Sequence, residues 1–351
     1  MRYGLAIVGY GGMGGWHHAS IAEKVSGIRV KGAFDIRPEA MDKARAAGLH
    51  PYASLEELLT DEEVALVTVA TPNDTHRPLV IRCLEAGKNV VCEKPVALNA
   101  AELEDMIAAA RRANKLFSIH QNRRWDRDYR IVRETIRSGL IGNPYFIESR
   151  VQGSRGSMYG WRGYKQNGGG MLLDWGVHLI DQLMDMTPEP VIEVSACLHK
   201  IFGSEVDDNI KVSLRFGNGL SALLEMSTNC FINLPRWHIS GTEGTLVIND
   251  WSCDGEIVKL STDAVMEWDD DIVYTEAGPT RTMAPRPKHT TQRLTLPDER
   301  PDWSEYYMNI ADTLDGKAEL IVKPEQALRV MRVIDTVFAA DEKRCGISCE
   351  I

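Results

Sequence analysis

The stretch "YGLAIVGYGGMG" (Tyr3–Gly14) decides the fold of this chain. Its apolar run is typical of a buried strand, and the glycines that follow have the spacing G-x-G-x-x-G ahead of a helix predicted at residues 15–25. Glycines in such a turn let backbone N–H groups approach a pyrophosphate at the helix N-terminus. The pattern therefore predicts dinucleotide binding by the turn residues Gly9, Gly11, Gly12, Met13 and Gly14.

The second predicted strand, "IRVKGAFD" (Ile28–Asp35), ends on an acidic residue. Asp35 lies about twenty residues beyond the glycine turn, where a carboxylate can bond the ribose hydroxyls of an adenosine. It would also repel a 2′-phosphate, so the sequence favours NAD over NADP. Arg37 could pair with such a phosphate, and NADP is therefore kept as the less favoured alternative.

Strand and helix patterns alternate at short spacing over about the first 120 residues, which predicts βαβ units around a parallel sheet. In such sheets the loops at the carboxyl ends of the strands line the ligand crevice. The loop "ATPNDTHRP" (Ala70–Pro78) follows one clear strand, although a plain capped helix start is an alternative interpretation. We include four of its residues among the cofactor contacts: Thr71, Pro72, Asn73 and His76.

The pattern changes after about residue 123. Strand patterns then follow one another between residues 191 and 260 without helices between them, and turns such as Gly217–Gly219 are typical of antiparallel hairpins. This order predicts an α+β domain built on one large, open, mostly antiparallel sheet. Residues 277–301 are rich in Pro, Thr and Arg and predict a long loop.

Two further helices are predicted near residues 303–315 and 324–342. The domain boundaries follow from the change of pattern: a dinucleotide-binding domain at 1–122, and a substrate-binding and oligomerisation domain at 123–351. The C-terminal helix is free in this scheme to pack back on the first domain.

Composition excludes several classes of function. The chain has 351 residues and a net charge of −10, which disfavours nucleic acid or an anionic membrane as the main partner. No apolar run reaches the roughly 18 residues of a membrane span. Seven scattered cysteines without a C-x-x-C pair indicate neither disulfides nor a zinc site, and favour a reducing cytoplasm. The acidic run Glu267–Asp271 predicts a solvated loop, so no metal is expected.

Three segments carry candidate chemistry. "VVCEKP" (Val90–Pro95) puts Lys94 at the carboxyl end of a strand, on the same sheet edge as the glycine turn. "GGGMLLDWGVHLID" (Gly168–Asp181) places Asp174 and His178 four residues apart on one helix face. A helix-terminal acid and a satisfied core histidine are the structural alternative, and Lys94 with the glycine turn favours catalysis over it.

Together with "HQNRRWD" (His120–Asp126), these motifs resemble the glucose–fructose oxidoreductase, inositol dehydrogenase and rhizopine-catabolism (Gfo/Idh/MocA) family over nearly the whole chain. The resemblance implies an N-terminal Rossmann domain and a C-terminal domain whose open sheet is buried in a homodimer or homotetramer. An uncovered apolar sheet face leads to the same expectation. It also implies a cis peptide before Pro95 and three catalytic residues: Lys94, Asp174 and His178.

The resemblance extends the predicted site beyond these three residues. Glu93 flanks the family's lysine, Gln121 lies in the "HQNRRWD" motif, and Trp161-Arg162 resembles a pair near the nicotinamide in some members. These four residues and Lys94 are added to the cofactor contacts. The substrate contacts are predicted to be Lys94, Asn122, Arg123, Asp174 and His178. His17 is interpreted as a helix-start residue that could touch the cofactor.

These residues predict an NAD-dependent oxidoreductase that moves a hydride from a ring hydroxyl of a sugar, glycoside or cyclitol to nicotinamide C4. His178 is the expected base, Lys94 would stabilise alkoxide charge, and Asp174 would orient the imidazole or bind a neighbouring hydroxyl. One alternative is a redox-neutral glycoside-processing enzyme that retains its NAD. A non-catalytic NAD sensor is the less favoured alternative. Substrate specificity is expected in residues 151–165, in the loop at 277–301, and at Asn229, Arg236 and His238.

Overall fold

The computed structural model describes residues 2–21, 24–261, 272–281 and 286–351. Its first half contains a six-stranded sheet in which every strand is parallel to its neighbours, in the order β3-β2-β1-β4-β5-β6. The strands are β1 (Tyr3–Val8), β2 (Ile28–Phe34), β3 (His50–Pro51), β4 (Val64–Val69), β5 (Asn89–Cys92) and β6 (Phe117–Ile119). The strand order reverses between β1 and β4, where sheets of this type open a ligand crevice.

Five helices connect these strands and cover the sheet. They are α1 (Gly12–Ile21), α2 (Pro38–Ala46), α3 (Leu55–Thr60), α4 (His76–Glu85) and α5 (Ala100–Ala113). Their starts follow local chemistry, since Ser54 Oγ accepts from Glu57 N at 3.1 Å and Asn99 Oδ1 accepts from Glu102 N at 3.0 Å. The prediction of a Rossmann-type parallel sheet is confirmed. Only α1 departs clearly from expectation, because it begins inside the glycine turn.

The second half is built on a nine-stranded sheet. Helix α6 (Arg127–Arg137) precedes strand β7 (Pro144–Gln152), and α7 (Val177–Met186) follows a π-helical turn at Leu172–Gly176. The next strands are β8 (Val191–His199), β9 (Asn209–Phe216), β10 (Ser221–Ser227), β11 (Trp237–Gly241), β12 (Gly244–Ile248) and β13 (Gly255–Leu260).

The remaining elements are β14 (Ile272–Thr275), β15 (Gly278–Arg281), β16 (Thr291–Leu294), α8 (Ser304–Leu314), α9 (Pro324–Lys343) and β17 (Ile347–Ser348). The sheet order is β16-β13-β12-β11-β7-β10-β9-β8-β17, and all neighbours except β7 and β10 are antiparallel. The predicted mostly antiparallel sheet is confirmed.

The two faces of this sheet differ in chemistry. Along β9, buried and exposed residues alternate, so Val212 and Leu214 point into the core while Lys211, Ser213 and Arg215 point outward. The inner face packs against helices α6 and α9 and against the π-helical turn at Leu172–Gly176. The outer face keeps Phe146 and Leu223 partly exposed. It mixes apolar side chains with a buried ion pair between Arg150 and Glu225 at 2.5 Å.

The prediction of one long loop at residues 277–301 is wrong in part. Strand β15 pairs with β14 in a separate hairpin, and β16 adds to the edge of the nine-stranded sheet beside β13. The edge of β13 has unpaired backbone N–H and C=O groups. Strand β16 pairs with them, although the segment that contains β16 has the composition of a loop. Residues 282–285 and the acidic run Glu267–Asp271 lie outside the described residues.

The last two helices pack back against the first sheet. Tyr307 OH lies 2.9 Å from Thr68 Oγ1 of β4, and Ser118 Oγ of β6 donates to Val322 O at 2.9 Å. Helix α9 also accepts from the start of α5, since Ala100 N donates to Asp335 Oδ2 at 3.0 Å. Side chains from the chain's end therefore reach the region behind the ligand crevice. Within the described residues, no helix is both long and apolar enough to cross a membrane.

Candidate active site

The glycine turn has the shape that a pyrophosphate requires. Gly9 has φ +92°, and a Cβ there would lie 2.6 Å from Ala70 O, while a Cβ at Gly14 would lie 2.3 Å from Gly9 O. A Cβ at Gly12, the first residue of α1, would meet nothing within 4 Å. The backbone is thus tight beneath the turn and open above it, where the helix N-terminus presents free N–H groups. These residues fit a dinucleotide.

Asp35 and Arg37 form an ion pair at the predicted adenosine end. Arg37 Nε lies 3.1 Å from Asp35 Oδ1 and Arg37 Nη2 lies 3.1 Å from Oδ2, so both carboxylate oxygens have a partner. Burial alone would raise the pKa of Asp35, but the bonds from Arg37 outweigh it and lower that pKa. The carboxylate must therefore share its oxygens with Arg37 to bind a ribose, and the guanidinium is half exposed beside it.

The loop after β4 divides into two parts. His76 is fully buried, and its ring nitrogens lie 2.9 Å from Pro95 O and 2.9 Å from Thr71 O. Asn73 Nδ2 donates to Gly168 O at 2.8 Å and so joins the two halves of the chain. Thr71 and Pro72 remain partly exposed. The side chains of His76 and Asn73 thus position the loop, and Thr71 and Pro72 stay predicted cofactor contacts.

Lys94 meets Asp174 across the cleft between the halves. Lys94 Nζ donates to Asp174 Oδ1 at 3.0 Å and to Asp174 O at 2.9 Å, and Arg162 Nε donates to Oδ1 at 3.3 Å. Burial works against ionisation of Asp174, but Lys94 and Arg162 outweigh it and hold the pKa of the carboxyl below its ordinary value. Trp161 supports this group, since the Arg162 guanidinium lies 4.4 Å from its ring centre.

His178 is held separately, by Gln121. His178 Nδ1 lies 3.2 Å from Gln121 Oε1, an acceptor, so this nitrogen carries the proton and Nε2 keeps its lone pair. Burial, aided by the charges of Lys94 and Arg123, holds the pKa of His178 well below its ordinary value. The imidazole is therefore neutral near pH 7. Gln121, predicted as a cofactor contact, has this histidine as its side-chain partner.

The predicted contact of Asp174 with the His178 ring is replaced by this arrangement. Asp174 lies in the π-helical turn, whose wider i→i+5 hydrogen bonding differs from the α-helical register that the sequence suggested. Its carboxylate consequently faces Lys94 and Arg162, and the imidazole of the following α-helix faces Gln121. The two residues approach the same cleft with different partners.

The glycines at 168–170 have a structural reason that the sequence did not reveal. Gly170 has φ +106°, and a Cβ there would lie 2.4 Å from Asp207 Oδ1. Asp207 Oδ2 accepts from Leu172 N at 2.7 Å and so caps the turn that carries Asp174. Burial raises the pKa of Asp207 to about 6. The glycines thus allow the chain to pass close to protein atoms. Asp207 positions the turn that carries Asp174, and no pattern in the sequence indicated this role.

Behind Lys94 lies a group that we name the buried carboxylate cluster: His17, Glu93, His120 and Tyr307. His17 Nε2 and His120 Nδ1 each lie 2.8 Å from Glu93 Oε1, and Glu93 Oε2 accepts from Lys94 N at 3.1 Å. Tyr307 OH lies 2.8 Å from His17 Nδ1. Glu93 and His17, both considered above as cofactor contacts, are thus buried with protein partners. The Lys94–Pro95 peptide is cis, as predicted.

Charge in this cluster resides on the carboxylate. Burial opposes ionisation of Glu93, but His120 and His17 outweigh it and hold its pKa well below the usual range. Burial, with His17 nearby, lowers the pKa of His120 to about 4. The ligand atoms of His17, Glu93 and His120 lie within 4.8 Å of one another, which a metal ion would also require. Direct hydrogen bonds satisfy the carboxylate oxygens without one.

The two predicted substrate residues at the end of β6 differ in access. Asn122 is buried, at 6% exposure, whereas Arg123 reaches the cleft with one-fifth of its side chain exposed. Arg123 Nη1 donates to Asp126 Oδ2 at 2.7 Å, and its guanidinium lies 4.1 Å from the Trp175 ring centre. Trp175 in turn packs edge-on against His178, with ring centres 6.0 Å apart. Arg123 is therefore the more accessible of the two.

Comparison with known proteins agrees with this arrangement. A family model described as oxidoreductase family, NAD-binding Rossmann fold, matches residues 3–121, and a model of the GFO/IDH/MocA C-terminal domain matches residues 129–247. A crystal structure of an NAD-binding protein from Listeria innocua superposes with a TM-score of 0.91 at 43% identity, covering 99% of each chain.

Two of the relatives are named as inositol dehydrogenases. Scyllo-inositol 2-dehydrogenase (NADP(+)) of Bacillus subtilis is 27% identical over 99% of this chain and 96% of its own. Myo-inositol 2-dehydrogenase of Thermotoga maritima is 28% identical over 69% of this chain and 74% of its own. The two domain models match this chain in order, and the glycine turn, Lys94 and His178 lie at one cleft. This chain therefore belongs to the Gfo/Idh/MocA family of oxidoreductases.

Proposed function

We propose that the protein is an NAD-dependent dehydrogenase that oxidises a ring hydroxyl of a sugar, glycoside or cyclitol. The observation that carries the proposal is the meeting of a Lys94–Asp174 ion pair with a neutral His178 at one cleft. The cleft lies at the carboxyl end of β5, on the same edge of the sheet as the glycine turn. The inositol dehydrogenases among the relatives support a polyol as substrate.

The chain's own residues account for the proton chemistry. Oxidation of an alcohol needs a base for the hydroxyl proton, and the unprotonated Nε2 of His178 is suited to accept it. The Lys94 ammonium can donate to the same oxygen and stabilise alkoxide charge, while Asp174 keeps the ammonium in place. Gln121 fixes the imidazole tautomer. A bound nicotinamide supplies the acceptor for the hydride.

We propose NAD as the preferred cofactor, with NADP as the weaker alternative. The Asp35 carboxylate supports NAD, because it would lie beside a 2′-phosphate and repel it. Its pairing with Arg37 weakens that repulsion, since the guanidinium offers compensating charge. The Bacillus subtilis relative named for NADP(+) keeps this alternative relevant.

We further propose that the chain acts as a homodimer or homotetramer through the outer face of the nine-stranded sheet. On the outer face Phe146 and Leu223 remain partly exposed between charged residues, and burying such a mixed face against a second copy would remove apolar area from water. Cytoplasmic location is proposed because all seven cysteines are free thiols.

The test is a screen of cyclitols, pyranoses and glycosides at the NADH absorbance, on protein first checked for co-purified NAD. The proposal expects NADH to accumulate with at least one ring alcohol. Turnover of a glycoside without net NADH would instead indicate the redox-neutral cycle. If no ring alcohol gave turnover by either route, with NAD and with NADP, the proposed function would be wrong.

A further inference from the structure

Three tryptophans and two arginines alternate in one stack that begins beside His178. Arg123 lies 4.1 Å from the ring centre of Trp175 and 5.3 Å from that of Trp251. On the far side, Arg236 lies 4.7 Å from the Trp251 ring centre and 4.8 Å from that of Trp237. We name this group the tryptophan–arginine stack. Each arginine is within the range of a cation–π contact with two indoles of the stack, and Arg123 also lies 5.9 Å from the ring centre of Trp303.

The charge of the stack is balanced by two carboxylates outside it. Arg123 has Asp126 at 2.7 Å, and Arg236 Nε lies 3.1 Å from Asp128 Oδ2. The same carboxylates accept from indole nitrogens, from Trp303 Nε1 at 3.1 Å and from Trp237 Nε1 at 2.8 Å. Since every cation already faces an anion, the stack gives no net attraction for a charged ligand. What it leaves available is aromatic surface.

That surface is concentrated on Trp251. Trp237 and Arg236 are buried in the second sheet, at 0% and 3% exposure, whereas Trp251 is 49% exposed. Trp251 lies in the turn between β12 and β13, which is tied by Asn249 N donating to Asp254 O at 2.7 Å and Ser252 N donating to Asp250 Oδ1 at 2.8 Å. A half-exposed indole is thus fixed by cations and by its own turn, as a preorganised binding surface would be.

The position of Trp251 relates it to the cleft. Its ring centre lies 5.9 Å from that of Trp175, and Trp175 lies 6.0 Å from His178. Trp175 and Arg123, which lie between His178 and Trp251 in this series of ring contacts, are themselves partly exposed. A single sugar ring at His178 would leave the exposed indole unused. A second ring attached to the first would be placed where its apolar C–H face can cover that indole.

We propose that Trp251 is a specificity residue that binds a second ring of the substrate, so that the enzyme prefers a glycoside of two rings over a free monosaccharide or cyclitol. This inference rests on the proposed function and narrows its substrate class. The ring nearest His178 is the one oxidised, and its neighbour packs on Trp251. The balanced charge of the stack favours an uncharged second ring.

The experiment compares one-ring probes, glucose and myo-inositol, with two-ring probes, cellobiose and lactose. Trp251→Ala should raise KM for a two-ring probe about tenfold, because it removes an aromatic contact of about 1.4 kcal/mol. It should leave kcat and the KM for one-ring probes unchanged. Trp251→Phe should recover most of the loss. Tyr145→Ala, at a residue 56% exposed on β7, is the matched surface control.

Calorimetric binding of the two-ring probes to the NAD-loaded proteins separates this inference from the proposed function. Suppose that ring alcohols are turned over, but Trp251→Ala changes KM equally for one-ring and two-ring probes or changes neither KM. That result would overturn the role of Trp251 and leave the proposed function standing. Loss of two-ring binding in Trp251→Ala without turnover by any protein would support Trp251 and overturn the dehydrogenase. Absence of both binding and turnover would overturn both.

Discussion

Glu93 and Lys94 are neighbours in the chain, yet their side chains belong to two clusters of opposite character. The Glu93 carboxylate lies in the buried carboxylate cluster, where its side-chain partners are imidazoles at 0% exposure. The Lys94 ammonium points the other way, to Asp174 in the cleft, where both side chains keep 15–20% of their surface exposed. Each cluster pairs a carboxylate with basic groups, and water reaches only one of them.

The difference teaches which cluster can do chemistry. A substrate can displace or join the bonds of the Lys94–Asp174 pair, because both side chains are partly exposed in the cleft. The imidazoles around Glu93 are fully buried, and the Glu93 carboxylate that they hold accepts a hydrogen bond from Lys94 N. Substitutions in the cleft should therefore lower activity, and substitutions in the buried carboxylate cluster should lower stability.

The largest effect on activity is expected at His178. His178→Gln should lower kcat about 10³-fold, within the range for loss of a general base, and leave the free energy of unfolding within about 1 kcal/mol. The wild-type rate should fall only well below pH 6.5, because the pKa of His178 lies below that value. The pH profile of kcat/KM measures this. Retention of the same acid limb in the variant would contradict the role of base.

Lys94→Met should cost somewhat less, about 10²- to 10³-fold in kcat, because it removes one donor to the developing alkoxide. The melting temperature should change little, since the ammonium is partly exposed. Lys24→Met, at a surface ion pair with Asp302, is the matched control and should keep full activity. Activity within a few-fold of wild type in Lys94→Met would remove the lysine from the mechanism.

Glu93→Gln tests the other cluster. The variant should lose about 2–3 kcal/mol of unfolding free energy, because a carboxylate that accepts from two imidazoles is replaced by a weaker acceptor with an extra donor. The activity of the folded fraction should fall less than tenfold. Urea unfolding and kcat measured on one sample check both, with the exposed Glu63→Gln as control. A larger loss of kcat than in Lys94→Met would reverse the assignment.

Acid should destabilise the protein through the same cluster. His120 faces Glu93, His17, Lys94, Tyr306 and Tyr307, and its pKa is about 4 in the folded protein against about 6.5 unfolded. Between these values the unfolded chain binds the extra proton, so stability should fall by about 1.4 kcal/mol per pH unit as pH drops. The stabilisation from ionised Glu93 is lost below about pH 4.3, in a separate window.

Unfolding free energies at pH 7, 6 and 5 measure this slope. His178 contributes with the same sign, so the informative quantity is the difference between the wild-type slope and that of His120→Gln. The slope of unfolding free energy against pH should be smaller in the variant by the contribution of about one proton. Equal slopes would show that His120 titrates alike in the folded and unfolded protein.

The sequence predicted what depends on local pattern. The spacing of Gly9, Gly11 and Gly14 predicted the turn and the helix that follows it. The succession of strand patterns between residues 191 and 260 likewise predicted the antiparallel strands of the second sheet. Lys94 and His178 entered the predicted site through motifs, and the structure brings both to one cleft.

The rest depends on contacts between distant segments. His17 meets Tyr307 across 290 positions, and Arg124 meets Asp181 across 57, so no local spacing indicates either pair. The tryptophan–arginine stack joins five residues from four separate segments. Buried polar residues gain their partners only through the fold, which is why Glu93 and His76 were first interpreted as cofactor contacts.

In a third carboxylate–cation pair, Asp35 with Arg37, the cation is more exposed than the basic groups of the other two, and this pair should give the smallest effect. Arg37 is 60% exposed, so Arg37→Ala should leave stability unchanged. It should free the Asp35 carboxylate for a ribose and remove the charge that offsets its repulsion of a 2′-phosphate. The ratio of kcat/KM for NAD over NADP should therefore rise about tenfold, with Arg29→Ala as the surface control. An unchanged ratio would mean that Arg37 does not take part in cofactor choice. The exposure of a pair would then not predict the size of the effect that its substitution has.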